Sequence, residues 1–350
     1  MERGFPENQP TVRLVLKTNQ TFGLVEPFLA APHLLKERSV PSPIVIVSDA
    51  LPGETLAVLK STCDVRHLDG RDRKALFAAL TDADALIVRS GTRVDAEVLD
   101  RAPRLRVVGR AGVGLDNVDT ITAAARGIAV VNAPGSNTVS VAELTVGLIV
   151  ASARHITAAA RSLEDGQWRR SEFAGVELAG RTLGIVGYGR VGRQVARRMA
   201  AFDMRVLAHD PYADIADGDV HATGLDELLA TSDVVTLHLP RTPGTAGLIG
   251  ARELSLMKPT AYLVNTARGG IVDESALTRA LREGRPAGAA LDVFATEPPG
   301  SSPLLALPNV VALPHLGAST HDAQLRAGRE VAGKVLAELA PLLSPSPTAV

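Results

Sequence analysis

The sequence predicts an α/β protein made of two doubly wound parallel sheets, and two observations carry this. From Ile44 onward, short apolar runs alternate with helix-period stretches. The alternation pauses at the turn-rich segment Asn132-Ala133-Pro134-Gly135-Ser136-Asn137 and starts again at Thr182. Strands separated by helical stretches read as βαβ units, which lay strands parallel and put helices on both faces of the sheet. A length of 350 residues suits about two domains, each long enough to bury its own core.

In the first set, strands are expected at residues 44–47, 64–67, 85–89, 105–108 and 128–131, with helices at 54–61, 73–80, 95–100 and 118–125 between them. The turn-rich stretch at 132–137 suits a hinge. A long helix follows at about 139–155. Glu143 is its only acid, so it is too apolar for an exposed face and is expected to lie buried between domains or between subunits. Trp168 is expected to pack at a helix end.

The second set places strands near 182–186, 205–208, 234–238, 261–265, 288–291 and 310–314. Helices lie near 191–202, 225–230, 251–257 and 274–283. In the first of these, Val191, Val195 and Met199 recur every four residues and form the stripe that packs on a sheet. The segment at about 320–339 is again helical, and its Arg/Glu-rich outer face suggests packing back across a domain boundary. Pro341, Pro345 and Pro347 predict a disordered tail over 341–350. Residues 1–42 show no sustained period and are broken by prolines, so they read as a poorly ordered extension, or as sequence upstream of the true start. The folded unit is expected to begin near Ile44.

One segment carries a cofactor fingerprint. Gly187-Tyr188-Gly189-Arg190-Val191-Gly192 follows the apolar run of Leu183, Ile185 and Val186, and Asp210 closes the next apolar segment, about 20 residues on. Gly187 permits the tight strand-to-helix turn and Gly189 lets the backbone approach a pyrophosphate. Gly192 lets the helix pack on the strand, and the helix N-terminus offers N–H groups to phosphates. A carboxylate at Asp210 accepts both ribose hydroxyls and repels a 2′-phosphate, while Pro211-Tyr212 stand where an arginine would be needed to receive one. The expected cofactor is NAD.

Composition excludes several classes. A net charge of −1 and 3% aromatic residues supply neither the basic face nor the stacking platforms of nucleic-acid binding. No apolar run reaches the ~18 residues of a membrane span, and residues 1–42 lack the apolar core of a secretory signal. A cytoplasmic protein with no membrane partner is expected. Cys63 is the only cysteine, so neither an intrachain disulfide nor a cysteine-based zinc site is possible, and no metal is expected.

In open α/β sheets, ligands bind at the carboxyl ends of strands. Arg268, Glu297 and His315 each follow such an end in the second half. A hydride transfer between nicotinamide and a 2-oxo or 2-hydroxy acid needs a proton carrier at the oxygen and a cation at the carboxylate. An imidazole suits the first task, with a carboxylate to stabilise its charged form and fix its tautomer. A guanidinium fork suits the second. Taken singly, each has a bland reading, as a structural histidine, a solvated loop glutamate or a surface arginine. Spacing alone does not select these three.

Longer motifs do. The chain resembles the D-isomer-specific 2-hydroxyacid dehydrogenases, and within them the phosphoglycerate dehydrogenases, from about Ile44 to Leu339. The resemblance runs through Val88-Arg89-Ser90-Gly91-Thr92, the stretch 109–119 from Gly109 to Asp119, Val131-Asn132-Ala133-Pro134-Gly135-Ser136-Asn137, the glycine fingerprint, His238-Leu239-Pro240, and the stretches 265–270, 291–298 and 314–320. It implies His315 as acid/base, Glu297 as its partner, and Arg268 as carboxylate binder and carbonyl polariser. It implies cofactor contacts at Arg190, Val191, Asp210, Thr266, Ala267, Asp292, Gly317 and Ala318. It also implies a flavodoxin-like substrate domain from 43–137 with 317–340, a Rossmann NAD domain at 138–316, a cleft between them, and a homodimer or higher oligomer formed in part by the long apolar helix.

Arg89, Ser90 and Thr92 would form an anion site at a strand's carboxyl end, completed by Asn137 and the Gly112-Val113-Gly114 loop. The bland alternative is a polar exit from a strand. His238 would line the cleft wall in a structural or cofactor-side role. The chain ends soon after its last helix, so serine feedback through a C-terminal regulatory domain is not expected. The implied reaction is the interconversion of 3-phosphoglycerate and 3-phosphohydroxypyruvate. The alternatives are a hydroxypyruvate/glyoxylate reductase or another D-2-hydroxyacid dehydrogenase, and an NAD-sensing interaction protein without turnover.

Overall fold

A computed structural model describes residues 42–343 apart from residue 217. The extension expected before Ser42 lies outside the described residues, as do residues 344–350. The first half alternates β1 (Ile44–Val47), α1 (Gly53–Lys60), β2 (Asp64–His67), α2 (Arg73–Leu80), β3 (Ala85–Val88), α3 (Ala96–Asp100), β4 (Val107–Arg110), α4 (Thr120–Ala125) and β5 (Ala129–Asn132). Its five strands are all parallel, in the order β2-β1-β3-β4-β5, which is the flavodoxin-like winding. Aspartates start three of its helices: the side chains of Asp72, Asp95 and Asp119 accept the backbone N–H of Ala75, Val98 and Thr122. Each such cap is worth about 1 kcal/mol.

The second half begins with α5 (Thr138–Ala153) and α6 (Ile156–Glu164). It continues with β6 (Thr182–Val186), α7 (Arg190–Ala200), β7 (Arg205–His209), β8 (Val220–Ala222), α8 (Leu225–Thr231), β9 (Val234–Leu237), α9 (Ala251–Leu256), β10 (Tyr262–Asn265), α10 (Glu274–Arg282), β11 (Gly288–Leu291), β12 (Val310–Ala312) and α11 (His321–Leu343). Its seven strands are parallel in the order β12-β11-β10-β9-β6-β7-β8, a Rossmann sheet extended by one strand.

Side-chain alternation along the strands fills both faces of each sheet. Val45 and Val47 pack with Leu59 of α1 and with Val331, Val335 and Leu339 of α11. Ile46, between them, packs with Leu76, Leu80, Val98 and Leu99 on the opposite face. In the second sheet, Leu183 and Ile185 meet Ile149, Val195 and Met199 of α5 and α7. Gly184 faces the other way, where a β-carbon would lie 2.5 Å from Leu228 of α8. The last helix returns to cover the first sheet, running against α1, β4 and β5.

The structure departs from the sequence reading in several places. The long apolar helix stops at Ala153, because His155 takes a left-handed φ of 52° and α6 leaves at 66°. Helix α5 packs on α7, β10, β11 and β12. The short strand β8, which pairs with β7, has no counterpart in the sequence reading. The last helix runs to Leu343 with Pro341 inside it, where the sequence predicts a tail. A proline near a helix end forfeits one backbone bond and its fixed φ is helical. Trp168 does not pack at a helix end and is 82% exposed. Among the described residues no single helix is long and apolar enough to cross a membrane, and only the bent pair α5 and α6 passes by length and composition.

The strand order reverses between β1 and β3 in one sheet and between β6 and β9 in the other. At such points the loops beyond the strands diverge and leave a crevice. The candidate site residues lie on strand-end loops of this kind or beside them.

Candidate active site

At the second switch point, β6 leads into Gly187, whose φ is +96° and whose β-carbon would stand 2.5 Å from the His238 carbonyl oxygen beyond β9. Only glycine fits there. At Gly192 a β-carbon would lie 2.3 Å from the Gly187 carbonyl oxygen, so the first turn of α7 sits directly on the loop. Gly189 is different: nothing lies within 4 Å of its β-carbon position. It borders an open cradle at the start of α7, whose first N–H groups have no partner within the helix. Arg190 and Val191 form the opening residues of that helix.

Asp210 closes β7 beside this cradle. Its Oδ2 accepts the Tyr188 N–H at 2.8 Å, and its Oδ1 accepts those of Tyr212 and Ala213 at 2.9 and 3.1 Å. Burial pushes its carboxyl upward, but the three N–H groups outweigh burial and hold it below the usual aspartate range. A fixed carboxylate next to an open glycine cradle fits a dinucleotide with free ribose hydroxyls. On the facing wall, Thr266 is buried with its hydroxyl 2.8 Å from that of Thr145 in α5, and the Ala267 N–H is given to Asn265 Oδ1.

The other end of the crevice is built from β11 and the loop after β12. Buried Asp292 accepts the N–H of Leu316 on Oδ1 at 2.6 Å and that of Gly317 on Oδ2 at 2.8 Å, while its carbonyl takes the His315 N–H at 2.9 Å. Burial raises its carboxyl above the usual range despite these bonds. This clamp holds the turn in which His315 adopts φ +54°. His315 Nδ1 lies 2.6 Å from Glu297 Oε2, and Glu297 Oε1 accepts the Phe294 N–H at 3.0 Å. A carboxylate only accepts, so Nδ1 carries the hydrogen and Nε2 is left for a ligand.

Arg268 follows β10. Its carbonyl accepts from Asn265 Nδ2, its Nη1 donates to the Ala267 carbonyl at 2.8 Å, and its Nε lies 3.2 Å from Asp116 Oδ2 in the first half. A β-carbon on Gly114 would fall 2.4 Å from Arg268 Nη2, so that glycine makes room for the guanidinium.

Arg89, Ser90, Gly112, Asn137, Glu297, His315 and Ala318 line a single cavity of about 600 Å³, with Asp116 on its wall. Arg268 adjoins it through that ion pair. Three residues of the expected anion site do not line it. Thr92 is fully buried, its hydroxyl 3.0 Å from Ser48 Oγ. Its side chain therefore faces the core. Val113 gives its carbonyl to Asn132 Nδ2, and Gly114 lies under Arg268.

Residues 146–317 match the NAD binding domain of the D-isomer specific 2-hydroxyacid dehydrogenases. Over 301 residues the chain is 52% identical to D-3-phosphoglycerate dehydrogenase from Mycobacterium tuberculosis, a match that covers 85% of this chain and 57% of the relative. The TT0316 protein of Thermus thermophilus superposes with a TM-score of 0.79 at 39% identity, over 87% of this chain and all of the other. The NADPH-dependent glyoxylate/hydroxypyruvate reductase of Sinorhizobium meliloti gives 0.76 at 31% identity, over 85% and 93%. The chain belongs to the D-isomer-specific 2-hydroxyacid dehydrogenase family. It spans somewhat more than half the length of the curated relatives it matches.

In this family member the seven-stranded half is the NAD-binding domain. The sequence reading missed the groups that hold the cavity loops. Asp49 Oδ2, beyond β1, accepts the N–H of Arg89 at 2.6 Å and of Thr92 at 3.1 Å, and Asn117 Nδ2 donates to both their carbonyls at 2.6 Å. It also passed over Arg110, which lines the cavity. Asp49 and Arg110 stand at strand ends, the very signal used for the other candidates. His238 is half-buried. Its Nε2 lies 3.0 Å from Thr236 Oγ1, and burial pushes its pKa down to about 3, so it stays neutral. Among the described residues no group of three or more His, Cys, Asp or Glu could hold a metal ion.

Proposed function

We propose that this family member is an NAD-dependent enzyme that interconverts 3-phosphoglycerate and 3-phosphohydroxypyruvate. The 2.6 Å His315–Glu297 pair, opening with Arg89 into one cavity beside Arg268, carries the reading. Bound at Gly187–Gly192, Asp210, Thr266, Ala267, Asp292, Gly317 and Ala318, NAD would supply or take up the hydride at the substrate's C2. His315 moves the proton on the C2 oxygen through Nε2, and Glu297 offsets the imidazolium charge. Arg268 holds the carboxylate and polarises the carbonyl. Arg89, Ser90 and Asn137 receive the far anion, while the Gly112 N–H expected to join them is spent on the Arg110 carbonyl at 2.8 Å. The identity to phosphoglycerate dehydrogenases supports this choice of acid.

The reading divides the chain into a substrate domain at 43–137 with 317–340 and a nucleotide domain at 138–316, and the packing of α11 on β4, β5 and α1 supports it. It includes a cytoplasmic homodimer. Ile156 and Leu163 on α6 and Trp168 after it, 49%, 60% and 82% exposed, are apolar surface that a second copy would cover.

The likeness to a glyoxylate/hydroxypyruvate reductase keeps a second acid in view. NADH consumption on phosphohydroxypyruvate, hydroxypyruvate, glyoxylate and 2-oxoglutarate decides between them. The proposal expects the phosphorylated acid to give the highest kcat/KM, and Arg89→Ala to damage that activity far more than activity on glyoxylate. A preference for glyoxylate would favour the second reading. NADH binding without turnover on any acid would favour a sensor.

A further inference from the structure

Glu274 opens α10 but does not cap it. Asp273 does that, its Oδ1 accepting the N–H groups of Ser275 and Ala276. The Glu274 carboxylate reaches instead to the loop after β11, where its Oε1 accepts the Ala295 N–H at 2.5 Å. The preceding N–H, that of Phe294, goes to Glu297 Oε1. Two glutamates thus hold neighbouring N–H groups, one reaching in from a helix and one curling back from the loop itself.

The two sides of this arrangement differ in firmness. Helix α10 is fixed, because Ala276, Leu277 and Leu281 are buried in one core with Phe294. From Ala295 to Pro298 the loop is exposed. Among the described residues no other side chain hydrogen-bonds the backbone of residues 295–302. Gly269 packs against the same peptide, and its β-carbon position lies 2.7 Å from the Ala295 nitrogen. A steric contact limits movement only toward Gly269, so the carboxylate bond is what resists movement away. A bond to an ionised acceptor is about twice as strong as a neutral one.

Glu297 stands two residues beyond this tether and meets His315 at 2.6 Å. A reacting constellation keeps such a geometry only when neighbouring groups lock the residues that form it. Building on the proposed function, we infer that Glu274 is a positioning residue for the acid–base pair. By fixing the Ala295 N–H to α10, it sets where Glu297 stands against the imidazole. Glu274 is not among the residues that line the cavity of Glu297 and His315, so its effect on the reaction passes through Glu297.

The test is a double-mutant cycle in the full chain, with phosphohydroxypyruvate as substrate and NADH titration as the check of folding. Glu274→Ala should lower kcat by about 3–10-fold, the loss expected for one hydrogen bond, with NADH affinity unchanged. Glu274→Gln keeps an acceptor for the Ala295 N–H and should stay closer to wild type than E274A. In a Glu297→Ala background there is no carboxylate left to place, so adding E274A should change kcat by less than about twofold. Hydrogen exchange followed by mass spectrometry gives a readout apart from turnover. Residues 295–302 should exchange faster in E274A than in wild type, and E274Q should restore most of the protection.

Equal losses in E274A and E274Q would assign the effect to the charge at the start of α10 and overturn the inference. The same fold-loss from E274A with and without Glu297 would mean that Glu274 supports the fold generally, and would also overturn it. Wild-type turnover or unchanged exchange in E274A, with E297A slowed, would overturn it alone. Unchanged turnover in E297A would remove Glu297 from the acid–base role, and the inference would fall with that reading.

Discussion

Glu297 and His315 meet at 2.6 Å although 18 residues separate them, and neither is held by the other alone. The Phe294 N–H fixes one glutamate oxygen, and buried Asp292 clamps the turn that carries the imidazole. Two carboxylates thus divide the work. Asp292 shapes the backbone and Glu297 faces the ring. His315→Ala should lower turnover by ~10²–10⁴ while NADH affinity stays nearly intact. Glu297→Gln keeps an acceptor but loses the charge, and should cost about tenfold. Single-turnover kinetics beside an NADH titration would check both, and full activity in either variant would remove that residue from its role.

Gly269 joins the arginine loop to the glutamate loop. A β-carbon there would lie 1.7 Å from the Phe294 carbonyl oxygen, which is backbone and cannot swing aside. Gly269→Ala should therefore displace Arg268 and Glu297 together and destabilise the fold by about 1–3 kcal/mol. The expected signature is a fall in kcat/KM larger than that of Glu297→Gln, with a lowered thermal midpoint. Near-normal values of both would mean that the two loops adjust independently.

Asp210 holds three N–H groups at the rim of the glycine cradle, and its charge opposes a 2′-phosphate. Asp210→Ala should weaken NADH by about 10–100-fold, the loss of hydrogen bonds to a charged group. NADPH should lose less, because the repulsion goes with the carboxylate. Comparing kcat/KM for the two cofactors measures this, and an unchanged ratio would contradict it.

Much of this arrangement is legible along the chain because it rests on local pattern. Apolar runs of four or five residues mark the strands. The jobs of Gly187 and Gly192 follow from spacing, since both glycines answer to backbone within the same strand–turn–helix unit or its neighbour. What stays hidden depends on register and distance. Thr92 lies two positions after Ser90, yet its hydroxyl finds Ser48 just past the end of β1. Such a partner, 44 residues away, has no local signature. Arg110 escapes the sequence reading because the apolar run suggests a strand at 105–108, whereas the strand runs to the arginine itself. The break at His155 depends on one left-handed residue in a run whose composition favours an unbroken helix.

His238 gives a prediction in which the sign matters. Burial holds its folded-state pKa at about 3, while in an unfolded chain it titrates near ~6.5. Between those values the unfolded state binds a proton that the folded state refuses, so stability is lost as pH falls through that window and is retained above it. Neutral His238 also keeps charge out of the wall behind Gly187, whose turn packs on its carbonyl. Replacing it with glutamine removes the titration and keeps a polar group for Thr236. The thermal midpoint of wild type should drop more steeply from about pH 7 to about pH 4 than that of His238→Gln, whatever the offset between them at neutral pH. Parallel curves would show that the ring takes up its proton in the folded protein as easily as in water, and that its surroundings do not exclude charge.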